Sequence, residues 1–102
     1  MKVDANVTEW SVSVLPEDNV NHHTYVITVA YRGRGRWAIL HHGFCLGRDG
    51  EWDYEVQPSS REDEWLDAHR FARDEALAIA VREAPNVVVN GRTAASLLGE
   101  DA

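Results

Sequence analysis

The sequence predicts one two-layer α+β domain: an antiparallel four-stranded meander followed by one long helix packed on one face, with a short C-terminal strand and helix. Three observations carry this. Before Pro58-Ser59-Ser60-Arg61 apolar residues recur at every second position, the period of a half-buried strand. After it they recur every three to four, the period of an amphipathic helix. The first part is also punctuated by turn chemistry at Pro16–Asn19, Gly33–Gly35 and Asp49-Gly50. At 102 residues the chain makes a single domain spanning 1–102. With 44% hydrophobic residues and four Trp it has enough apolar area for a small core, and disorder is expected only at 1–5 and 99–102.

The elements follow in order. Val7 to Leu15 alternates, with Trp10, Val12 and Val14 on one side and Glu9, Ser11 and Ser13 on the other. His22 to Arg32 is rich in β-branched and aromatic residues and reads as the second strand. Gly33-Arg34-Gly35 makes a hairpin loop, Arg36 to Leu46 the third strand, and Glu51 to Gln57 the fourth. Ser59 and Ser60 each stand three residues before an acidic side chain and are candidate caps for a helix over 61–84, which Pro85 ends. On that helix Trp65, His69, Ala72, Ala76, Ile79 and Ala80 share one face, and Asp63, Asp67, Arg70 and Asp74 lie opposite. In the tail, Asn86 to Gly91 reads as a strand and turn, and Arg92 to Leu98 as a short helix closed by Gly99.

A three-residue loop at 33–35 pairs Tyr31 with Trp37, Val29 with Ile39 and His23 with Cys45, and a turn at Asp49-Gly50 pairs Cys45 with Tyr54. The inner face is then Tyr25, Ile27, Val29, Tyr31, Trp37, Ile39, Trp52, Tyr54 and Val56. The outer face carries Leu40, Phe44 and Leu46 beside Glu51, Asp53 and Glu55. It is too apolar for a solvated surface, so the tail, the first strand or a second molecule should cover it.

The formal charge of −7 opposes diffuse binding to nucleic acid and to anionic membranes. Residues 49–67 hold eight carboxylates against Arg61, a solvated face or a docking surface for a basic partner. The lone Cys45 forms no internal disulfide and fits a reducing cytoplasm. No secretory leader or membrane-spanning apolar run is read from the sequence.

Three constellations bear on chemistry. His23, Cys45 and His69 offer metal-ligand types, and Cys45 with His23 resembles a nucleophile and its base. Short ligand spacings are missing, and a buried Cys beside a half-buried His is ordinary core, so no catalytic residue and no cofactor are assigned. Arg32, Arg34 and Arg36 at the hairpin tip, next to Tyr31 and Trp37, suit a nucleic-acid contact, or simply keep a sheet edge soluble. A three-stranded meander and helix is similar in topology to small integrase-type and double-stranded-RNA-binding domains, an analogy of fold alone.

Trp37, Cys45-Leu46, Gly50-Glu51-Trp52-Asp53-Tyr54-Glu55, Pro58-Ser59-Ser60-Arg61, Trp65-Leu66, His69-Arg70-Phe71 and Val89-Asn90-Gly91 together resemble small proteins of actinobacteriophages and their actinobacterial hosts. The resemblance covers the C-terminal two thirds and implies a cytoplasmic protein made during infection or from a prophage. It implies no activity and no site residue. The expected function is therefore a non-enzymatic accessory protein that binds a host or phage protein, alone or as a homodimer, through Glu51, Asp53, Glu55, Leu40, Phe44 and Leu46. The alternatives are a nucleic-acid module using Arg32, Arg34 and Arg36, and a metal or cysteine enzyme using His23, Cys45 and His69.

Overall fold

The alternating half of the chain forms a sheet of five antiparallel strands in sequential order. These are β1 (Glu9–Val12), β2 (Ile27–Tyr31), β3 (Trp37–His41), β4 (Phe44–Leu46) and β5 (Trp52–Tyr54). The structure, a computed structural model, describes residues 1–99; the expected disorder at 100–102 lies outside them. The expected register of the first long hairpin is present: Tyr31 faces Trp37, Val29 faces Ile39, and Arg32 N–H donates to Arg36 C=O at 2.8 Å.

The long third strand is in fact two. His42 (φ 47°) and Gly43 (φ 80°) form a two-residue turn between β3 and β4, pairing His41 with Phe44 and Leu40 with Cys45. Two consecutive positive φ values match the right-handed twist of a hairpin, and His-Gly meets that demand. The extra turn reverses the parity of β4, and the next turn restores it for β5. Phe44 and Leu46 move to the side of Ile39, and Cys45 moves to the other.

The next turn holds three residues, closed by Gly47 N–H to Glu51 C=O at 2.9 Å, with Gly50 at φ 84°. Asp53, not Tyr54, therefore stands opposite Cys45, and Trp52 stands opposite Leu46.

The start of the expected second strand is also changed. His22–Tyr25 is a single helical turn, α1. Asn19 sets it up: its side chain accepts Asn21 N–H at 2.8 Å and its carbonyl accepts His22 N–H at 3.0 Å. Local side-chain hydrogen bonds there outcompete strand propensity.

The expected single helix is two: α2 (Asp63–His69) and α3 (Arg73–Glu83). Arg70 (φ −130°, ψ 150°) and Ala72 (φ −66°, ψ 155°) are extended. Between them Phe71 exchanges two backbone hydrogen bonds with Trp37, at 2.8 and 3.0 Å. Helix 2 starts at Asp63 without a side-chain cap, and Pro58–Ser60 is a 3-10 turn, so neither serine caps it. Asp63 and Glu64 sit in its first turn, where the helix dipole favours negative charge.

The break puts a helix on each face of the sheet, not one layer on one face. Helix 3 packs on β2 and β3. Its stripe Ala76, Ala80 and Ala84 joins Ile27, Val29, Trp37, Ile39, Leu46 and Phe71 in the main core. Ala30, Ala38 and Cys45 are buried outside that cluster, on the opposite face, where His69 at the end of α2 reaches Asp53 and the extended Arg70 after it reaches Glu55. Thus the chain itself covers much of the apolar outer face.

The tail forms a two-residue hairpin, β6 (Val88–Val89) and β7 (Arg92–Thr93), then α4 (Ala94–Leu97), capped where Thr93 Oγ1 accepts Ser96 N–H at 3.2 Å. Asn90 (φ 52°) and Gly91 make its turn. The Tyr25 hydroxyl faces the carbonyls of Val89 (3.2 Å) and Arg92 (3.1 Å), fastening this hairpin to the body.

Candidate functional site

The parity change decides where the expected docking residues lie. Leu46 is in the core at 2% exposure, and Leu40 is half-buried. Glu55 is largely enclosed too: its carboxylate receives Arg70 Nη2 at 2.8 Å, Arg32 Nη2 at 3.4 Å and, at 3.9 Å, Arg61 Nη2. These three residues are therefore not the open surface that the sequence suggests.

Glu51 and Asp53 are exposed, as is Phe44. Phe44 stacks on Tyr54 with ring centroids 4.8 Å apart, and Tyr54 is 74% exposed although simple alternation puts it inside. Beside this pair His41, His42, Trp52 and Val87–Val89 complete an apolar hollow of about 430 Å³. The imidazole Nε2 atoms of His41 and His42 both lie on the Thr24 carbonyl, at 2.9 and 2.8 Å. Burial, aided by His42, lowers the pKa of His41 against the raising effect of the Thr24 bond.

Strand β5 ends the sheet. Glu55 N–H donates to Gly43 C=O and Gly47 N–H to Glu51 C=O, so odd-numbered residues of this stretch turn their backbone groups toward β4. The N–H and C=O of Trp52 and the N–H of Tyr54 consequently point away from β4, along the edge, while the Tyr54 carbonyl receives the Cys45 thiol at 3.9 Å. The sheet's two faces differ there. One presents the Phe44–Tyr54 pair and the apolar hollow. The other presents a hollow of about 550 Å³ bordered by Asp49, Asp53, Glu64 and Asp67 together with Arg48 and His69; Asp67 is paired with Arg36 at 3.1 Å.

The hairpin arginines are joined by two that sequence reasoning placed elsewhere. Arg70 belongs by helical phase to the solvent side, yet it is 3% exposed, with Nη1 donating to the His69 carbonyl at 2.9 Å and its guanidinium 4.9 Å from the Trp65 ring centre. The break before Phe71 rotates it inward. Arg61 donates to the Val56 carbonyl at 2.9 Å and also lies over Trp65. Arg32, Arg34, Arg36, Arg61 and Arg70 line one groove of about 520 Å³ at the root of the β2–β3 hairpin. No local signal reports this convergence; it needs the helix break and the position of β5.

His23, Cys45 and His69 are not brought together. His23 is exposed on α1. His69 stacks on Trp65 at 4.4 Å, with Nδ1 2.8 Å from the Trp65 carbonyl and Nε2 2.9 Å from the Asp53 carboxylate. Cys45 is fully buried, and burial, reinforced by Glu55, pushes its thiol up to about 11. A thiol so held, with His23 elsewhere, has neither the base nor the ionisation a nucleophile needs. Among the described residues no group of three or more His, Cys, Asp or Glu side chains is placed to hold a metal ion. Nor, among them, is any helix long and apolar enough to cross a membrane.

No protein-family model matches this chain, and neither a curated protein nor a solved structure shows significant similarity to it.

Proposed function

We propose that this protein is a non-enzymatic binding module that takes an extended, basic segment of a partner protein along the open edge of β5. The observation that carries the reading is that edge: the outward N–H and C=O of Trp52 and N–H of Tyr54, flanked by an exposed, stacked aromatic pair. A strand added there continues the sheet through main-chain hydrogen bonds, and its side chains alternate between the two faces. One set meets Phe44, Tyr54 and the apolar hollow; the other meets Asp49, Asp53 and Glu64, Asp67 being already paired with Arg36. The partner segment is therefore one that alternates apolar with basic residues. Glu51 and Asp53 serve the same end by opposing pairing of this edge with a second copy of an acidic chain. The buried lone cysteine supports action in a reducing cytoplasm, and the resemblance to actinobacteriophage proteins supports a host or phage protein as partner.

The test uses a peptide alternating Lys and Val, with a Glu/Val peptide of equal length as control. Saturable binding of the Lys/Val peptide alone, with slowed amide exchange at Trp52 and Tyr54, is the expected result. Glu51→Lys combined with Tyr54→Ser should weaken it at least tenfold, the effect of about 1.4 kcal/mol. Equal binding of both peptides, or binding indifferent to that double change, would overturn the proposal. So would a peptide-free dimer in native mass spectrometry whose Trp52 and Tyr54 amides are already protected.

A further inference from the structure

The arginine groove carries an independent inference. Five guanidinium groups, of Arg32, Arg34, Arg36, Arg61 and Arg70, face three carboxylates: Glu55 under three of them, Asp67 on Arg36 at 3.1 Å, and Asp63 in the lining. A purely structural staple needs no more positive charge than it neutralises. Here a surplus of cations gathers on a chain of net charge −7.

The donors are also largely unspent. A guanidinium offers five N–H groups. Arg32 is held through one of its nitrogens, on Glu55, and Arg61 through two, on Val56 and Glu55. Arg34, at the tip, is in no ion pair among the described residues, and its backbone stands at φ 54° between two glycines that also have positive φ. A long side chain in the left-handed region costs of order 1 kcal/mol against glycine there. Behind them Arg70 is locked: buried, bonded to Glu55 and packed over Trp65, it is the rigid wall of the groove.

The geometry points to this groove as a binding site for a single phosphate group, a phosphomonoester in which Arg32, Arg34 and Arg61 donate to the oxygens. Guanidiniums pair with phosphate oxygens through parallel N–H donors, and two from the hairpin loop facing one from the segment before α2 suit a tetrahedral anion better than a planar carboxylate. A compact anion fits better than a nucleic-acid strand. The bordering α2 carries Asp63, Glu64 and Asp67, which repel a polyanion extending past the groove.

The first probe is inorganic phosphate, titrated into the isotope-labelled full chain at constant ionic strength. Saturable shifts confined to the amides of residues 32–36 and the Nε–H groups of Arg32 and Arg61 are expected. Arg34→Gly removes a guanidinium and suits the positive φ, so it tests binding without threatening the fold; it and Arg61→Gln should each weaken binding about tenfold. Adenosine monophosphate and a phosphoserine peptide then separate the nucleotide source from the protein source by which binds more tightly than the free ion. Shifts that chloride reproduces, or phosphate binding unchanged in both variants, would overturn the site. An affinity that climbs with the length of a single-stranded oligonucleotide would also overturn it, in favour of a nucleic-acid interface.

Discussion

The ion pair between Glu55 and Arg70 offers the sharpest test of how this fold is held. Its two side chains are 12% and 1% exposed, and Arg70 Nη2 lies 2.8 Å from the carboxylate. Arg32 and Arg61 reach the same carboxylate at 3.4 and 3.9 Å with side chains 31% and 18% exposed. Water screens those two, so the energetic weight rests on Arg70. Glu55→Ala leaves a guanidinium buried without its counter-charge, which costs about 3–5 kcal/mol. That is a large share of the 5–15 kcal/mol typical of such a domain. Glu55→Gln keeps an oxygen for Arg70 but no charge and should cost about 2 kcal/mol. Glu55→Leu combined with Arg70→Met removes both charges and should return most of the Glu55→Ala loss, because apolar replacement of a whole buried pair is often neutral. Urea unfolding followed by tryptophan fluorescence reads all three variants, and Trp65, 4.9 Å from the Arg70 guanidinium, is a local reporter. A loss below about 1 kcal/mol for Glu55→Ala, or a double variant no more stable than Glu55→Ala, would refute the reasoning.

Four further outcomes follow from the packing. With its thiol at about 11, about one Cys45 in a thousand is ionised at pH 8, so alkylation of the folded protein should lag far behind that of the urea-unfolded chain; equal rates would refute the burial argument. Because the folded value lies above the ordinary 9.0, this group's contribution to stability is complete below pH 9 and fades as pH rises through 11, which urea midpoints across that range measure. Ala80→Leu, at a fully buried position on the alanine stripe of α3, should destabilise by about 1–3 kcal/mol through overpacking, and unchanged thermal stability would contradict the close approach. Tyr25→Phe should cost about 1 kcal/mol and raise amide exchange in residues 88–97 well before it does so in β2 and β3, since its hydroxyl ties the C-terminal hairpin to the body; uniform loss of protection would exclude that role.

The class of fold was legible because it rests on local periodicity. Alternation before Pro58 and three-to-four spacing after it do not depend on distant contacts, and they place Ile27, Val29, Trp37, Ile39, Ala76 and Ala80 in the core, where they are. The first long hairpin was legible for the same reason: its loop is set by three adjacent residues. The second turn was within reach of local chemistry, since His42-Gly43 suits a two-residue hairpin, but a continuous strand over 36–46 satisfies the same alternation, so the pattern does not choose between them. That one turn exchanges the faces of Cys45, Phe44 and Leu46, and with them the membership of any surface site.

What the sequence determined by itself is the antiparallel α+β class, the main core, the acidic balance and the presence of a basic hairpin tip. Only the tertiary structure decided where the charges go. A run of helical periodicity contains no signal that Phe71 will leave the helix to bond the backbone of Trp37, because that bond belongs to a residue 34 positions away, and its energy appears only once β3 is in place. From that break come the burial of Arg70, the enclosure of Glu55, the arginine groove and the second covered face of the sheet. The open edge of β5 has the same origin: a strand end becomes a site only when nothing else in the fold has paired with it.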